Sequence, residues 1–102
     1  MKVKAEYIVH DLAKLEQRER KTFTKVIDYI LYLEQTGNDS RPPKSKHIED
    51  GIFELRPLNV RVLYCFHNDT AYLLVLYIKK RNALPRNIIE LAKKRRNEIV
   101  KK

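Results

Sequence analysis

The sequence predicts an α+β domain: a short strand, two helices, three antiparallel strands and a last helix. Three observations carry that expectation. "DGIFELRPLNVRVLYCF" (50–66) has the form of two strands joined at "PLN", where proline restricts φ and asparagine suits a tight reversal. "AYLLVLYI" (71–78) follows a second turn, "HND" (67–69), and connections this short join antiparallel strands rather than parallel ones. Apolar residues at helical spacing mark 23–33 and 84–100.

The elements follow in chain order. "KAEYIVH" (4–10) alternates as a strand with Ala5, Tyr7 and Val9 on one side. Asp11 suits a helix N-cap, and Leu12 and Leu15 mark a first short helix. "EQRERK" (16–21) has no apolar residue, which predicts a break before a second helix carrying Phe23, Val26, Ile27, Ile30, Leu31 and Leu33. Gly37 in "TGNDS" ends that helix. "RPPKSK" (41–46) is expected as an extended basic loop, because its prolines exclude helix and interior strand. Strands are predicted over roughly 51–57, 60–67 and 71–79, and Pro85 suits the first turn of a helix over 84–100. The two N-terminal helices should cover one face of the sheet, leaving the other for polar and basic side chains, with the final helix packed beside or beneath the sheet.

The 102 residues suffice for a single domain over 1–102 with one core. A composition of 43% hydrophobic and 34% charged residues excludes a disordered chain. No apolar run approaches the roughly 20 residues of a membrane span, and "MKVKAEYIVH" lacks the apolar centre of a signal peptide. The lone Cys65 allows no internal disulfide and no cysteine-based zinc site. His10, His47 and His67 have no metal-ligand spacing, so no metal or cofactor is expected. The cytoplasm is the simplest compartment. The net charge of +9 is uneven: residues 79–102 hold 10 Lys/Arg against 2 Asp/Glu. That asymmetry suits a polyanionic partner, or a solvated helix end.

The first hairpin carries the chemistry. With Leu58 and Asn59 central, Arg56 faces Arg61, a like-charge pairing that costs up to about 1 kcal/mol unless an anion lies between. Glu54 shares their side of the sheet and partly neutralises them; a bound phosphate would do the same. Lys79, Lys80 and Arg81 end the last strand at the same sheet edge, and arginine and lysine together suit phosphate. Arg41, Lys44, Lys46 and His47 line the proline-rich loop as candidate RNA-binding residues. Tyr77 shares parity with Lys79 and suits stacking or proton handling. Phe53, Tyr64 and Phe66 fall on the opposite face, as core.

These motifs resemble the RelE/ParE/HigB superfamily of toxins, most nearly its phage-derived, HigB-like branch. The resemblance rests on Gly51, Glu54, Leu55 and Arg56, then Arg61, Val62, Leu63 and Tyr64, then Lys79, Lys80 and Pro85, and it spans about residues 44–96. It implies a RelE-like β-α-α-β-β-β-α fold with a small, mostly antiparallel sheet packed against two N-terminal helices. It further implies a toxin neutralised by a cognate antitoxin and acting on mRNA at the ribosome, without membrane or metal. In such relatives the ribose 2′-OH attacks its own 3′ phosphate. Arg56 and Arg61, with Lys79, Lys80 and Tyr77, are then the candidate catalytic residues. Two departures stand out. Ile52 and Glu54 occupy positions where RelE has lysines, and "LYIKK" replaces the more usual "HGFKK". Proton transfer therefore falls to His47, Tyr77 or Glu54. Gyrase inhibition of the ParE kind, or nucleic-acid binding without catalysis, are the competing functions.

Overall fold

The computed structural model describes residues 1–39, 42, 44–80 and 83–101. The elements are β1 (Lys2–Lys4), a 3₁₀ turn (Glu6–Ile8), α1 (Val9–Arg18), α2 (Arg20–Thr36), a second 3₁₀ turn (Gly37–Asp39), β2 (Ser45–Glu49), β3 (Ile52–Leu55), β4 (Val60–His67), β5 (Thr70–Ile78) and α3 (Arg86–Val100). The class is α+β, with three α-helices and a five-stranded mixed sheet in the order β1-β5-β4-β3-β2 among the described residues. β1 runs parallel to β5 and the other neighbours are antiparallel.

The order differs from the expected one by an extra strand, β2, within what reads as loop. Ser45–Glu49 pairs with β3 at the sheet edge, Lys46 opposite Glu54 and His47 opposite Phe53. Its sequence hides it, because an edge strand tolerates charged residues and needs few apolar ones. The strand predicted over 4–10 is not formed: β1 lies upstream at Lys2–Lys4, and Tyr7 and Val9 fall in the 3₁₀ turn and in α1. That 3₁₀ turn buries Ile8 completely. The predicted N-cap at Asp11 is also displaced: α1 starts at Val9, and Asp11 lies in its first turn, where its charge suits the helix dipole. The break between α1 and α2 falls at Glu19, whose backbone leaves the helical region at φ −144° and ψ 74°. Gly37 terminates α2 at a φ of +53° and lies against the Met1 side chain. Pro85 precedes α3 in extended conformation rather than entering its first turn.

Two-residue reversals join β2 to β3 and β4 to β5, and four residues, 56–59, join β3 to β4. Asp50 and Gly51 both have positive φ, as do Asn68 and Asp69, the pattern of the turn whose twist suits a hairpin. In the β3–β4 turn Leu58 alone has positive φ, at +53°, a conformation costing a residue with a Cβ roughly 1–2 kcal/mol.

Both faces of the sheet are covered, and this corrects the expectation of an open basic face. On one side α1 and α2 bring Leu15, Val26 and Leu33 onto Val60, Val62 and Tyr64. On the other, α3 packs Ile89 and Ala92 against Ile52, Leu63, Cys65 and Leu74. A bulge assists this second core. Leu63 faces Val75 and Tyr64 faces Leu73, so Leu74 is the additional residue, and Leu74 and Val75 both turn toward α3. Arg95 of α3 donates to the Leu74 carbonyl at 2.6 Å, satisfying a group on the bulged strand. Burial holds the Cys65 thiol up at about 11. Among the described residues, no helix is long and apolar enough to cross a membrane.

Candidate functional site

The β3–β4 hairpin has the anticipated register. Leu55 faces Val62, and the Val60 amide donates to the Pro57 carbonyl at 2.9 Å around Leu58 and Asn59. Arg56 therefore stands across from Arg61. Backbone bonds bring the adjoining strand ends alongside. The Arg56 amide donates to the Lys44 carbonyl at 3.0 Å, and the Lys79 amide to the Asn59 carbonyl at 2.7 Å. A cavity of about 360 Å³ opens here, lined by Lys46, Glu54, Arg56, Arg61 and Lys79. Ile48 of β2, Ile89 of α3, and Ala83 and Leu84 before that helix supply its apolar wall.

Four cations thus meet one carboxylate. Arg61 is only 8% exposed. Its Nη1 donates to the carbonyls of Leu58 at 2.9 Å and Val60 at 2.8 Å, while Nε and Nη2 bond to no described residue. The Glu54 side chain is 7% exposed, with Oε1 3.5 Å from Arg56 Nε. Glu54 Oε2 and Arg56 Nε are buried without a hydrogen-bond partner among the described residues. An unmet buried polar group costs about 1–3 kcal/mol, so the cavity suits a ligand that is anionic and also offers a donor to Glu54.

Of the residues singled out from the sequence, Lys46, Arg56, Arg61 and Lys79 converge here. Tyr77 faces Arg61 in register, yet it lines a different groove, between β5 and α1, together with Lys80. Lys44 lies over the rings of Tyr32 at 4.8 Å and Tyr29 at 5.6 Å on α2. His47 sets its ring edge-on to Phe53 at 5.0 Å, on the α1–α2 side of the sheet, away from the cavity. Arg41 and Arg81 lie outside the described residues. Sequence reasoning treated Glu54 mainly as a neutralising neighbour; its i,i+2 relation to Arg56 was the signal for a larger place. The apolar wall has no local signal at all, since Ile89 arrives from α3. Among the described residues, no group of three or more His, Cys, Asp or Glu side chains is placed to hold a metal ion.

The basic α3 segment behaves differently. Arg86 binds both carboxylate oxygens of Glu49 at 2.7 Å and reaches Glu90 at 2.9 Å. Lys93 bonds to Glu49 and lies 3.2 Å from Asp50, whose carbonyl accepts from Arg96. Arg95 also stacks over Tyr7 at 5.0 Å. The Arg86 and Lys93 hydrogen bonds hold the Glu49 carboxyl down at about 2, and the same bond to Glu49 raises Lys93. Burial, then the bond to Glu98, raises the Tyr7 hydroxyl. Of the basic segment that suggested a polyanion-binding tail, Arg86, Lys93 and Arg96 clamp α3 onto Glu49 and Asp50 at the β2–β3 turn.

No curated protein matches the chain. Residues 10–97 match the family model described as phage-derived protein Gp49-like (DUF891), and the chain belongs to that family.

Proposed function

We propose that this protein is the toxin of a toxin–antitoxin pair, acting as a RelE-like, metal-independent, ribosome-dependent mRNA endonuclease in the cytoplasm. The observation that carries the reading is the convergence of Lys46, Arg56, Arg61 and Lys79 with buried Glu54 on one cavity. Membership of a phage-derived family and the RelE-like motifs of β3, β4 and β5 agree with it.

The chemistry divides among these side chains. The free Nε–Nη2 edge of Arg61 binds the scissile phosphate bidentately, and Arg56 and Lys79 add positive charge as the phosphorane forms. Glu54 Oε2 accepts the proton of the ribose 2′-OH while that oxygen attacks phosphorus. The P–O5′ bond breaks, and the departing oxygen takes a proton from Lys79 or Lys46. The products are a 2′,3′-cyclic phosphate and a free 5′-OH. A cognate antitoxin holds the protein inactive until released.

The test is brief expression followed by mapping of mRNA ends, with Arg61→Ala as control. Growth arrest should coincide with cuts inside translated codons, and both should be strongly reduced in the variant. Arrest with intact messages would overturn the reading. A DNA-damage response in its place would indicate gyrase inhibition. Salt-sensitive RNA binding without product would indicate a non-catalytic module.

A further inference from the structure

Leu58 has a side chain that its backbone does not favour. Its φ is +53°, and the other described non-glycine residues with positive φ are Asp50, Asn68 and Asp69. Those types tolerate the left-handed region; leucine does not. Glycine or asparagine would fill the position at lower cost. Packing does not account for it either, since at 58% exposure Leu58 is the most exposed large apolar side chain among the described residues. A strained conformation kept beside a cluster of unmet polar groups points to function.

The same turn aims Arg61. The Leu58 carbonyl, whose direction follows from that backbone conformation, accepts from Arg61 Nη1, as does the Val60 carbonyl. With Nη1 tied on one side, the Nε–Nη2 edge is left for an oxyanion. Leu58 itself does not line the cavity. It stands at the hairpin tip between the arms bearing Arg56 and Arg61.

We infer that Leu58 is a specificity-determining residue: its carbonyl positions Arg61, and its exposed side chain makes the apolar contact to the nucleoside next to the phosphate on that arginine. The inference rests on the endonuclease reading of the cavity and adds which part of the RNA is read. The ligand is thereby a phosphodiester flanked by an apolar ring or sugar face, not a bare oxyanion.

The test compares wild type, Leu58→Gly and Leu58→Asn in a cell-free translation reaction, with cut sites mapped and melting followed in parallel. Both replacements accept positive φ, so the fold and the Arg61 contact survive and melting stays within a few degrees. The expected result is about a tenfold loss of cleavage rate, the value of one buried apolar contact, together with a flattened preference for the nucleotide beside the cut. Unchanged rate and unchanged preference would overturn the inference, and so would a slower reaction with the same preference. Absence of cuts by the wild type would instead sink the endonuclease reading itself.

Discussion

Two groups of cations on this protein have opposite fates. On α3, Arg86 and Lys93 meet Glu49, Asp50 and Glu90, and Arg95 and Arg96 are held by backbone carbonyls. At the β3–β4 hairpin, Lys46, Arg56, Arg61 and Lys79 share, among the described residues, the single carboxylate of Glu54 around the cavity. The cations of the first group are already held by carboxylates and carbonyls, and the open donors lie in the second. A count of basic residues therefore misleads; what marks a site is a cation whose donors the fold has not already used. Desolvating such groups is costly, and one partly buried arginine with a free edge says more than several exposed lysines.

That contrast can be broken by substitution. The largest effect is expected at Glu54, whose free oxygen has no structural bond to lose. Glu54→Gln should cut the cleavage rate by about 10³ while the circular dichroism spectrum stays unchanged. A rate near wild type would remove Glu54 from the chemistry. Arg61→Ala should cost about 10² in rate, from loss of charge on the transition state, whereas Arg86→Ala in the clamp should leave it within about twofold. Equal losses at both positions would erase the distinction between the two groups. Lys79→Ala should lower the rate about tenfold in the same assay, a point charge contributing less than a bidentate fork.

The smallest effect concerns the clamp and acid. The Glu49 carboxyl is held at about 2 against an ordinary value of 4.5, so its contribution to stability is full above pH 4.5 and is lost as pH falls toward 2. Denaturant titrations across that window should show wild type losing stability more steeply than Glu49→Gln, with the two curves running parallel near neutral pH. Because the pair is exposed, the difference should shrink in high salt. Identical acid profiles would mean that the clamp adds nothing to the fold.

Much of the hairpin was legible in the chain itself. Period-two alternation assigns Val60, Val62 and Tyr64 to one side and Arg61, Leu63 and Cys65 to the other, and turn residues at 58–59 and 68–69 set the register. From those local rules the pairing of Arg56 with Arg61 follows, as does the core position of Tyr64. β2 was not legible, because Lys46 and His47 obscure an edge strand that exists only through its pairing with β3. The bulge at Leu74 was equally hidden; it is defined by its neighbour across the sheet and by Arg95 from α3.

Sequence alone thus determined the three helices, the three strands β3 to β5, the β3–β4 register and the two faces of β4, since periodicity and turn chemistry act over a few residues. Only the tertiary structure decided which face α3 covers, which cations it neutralises, and that Lys79 joins the cavity while Lys80 does not. The physical reason is range. Glu49 meets Arg86 and Lys93 across 37 and 44 residues of chain, and an ion pair at that separation leaves no local pattern to read.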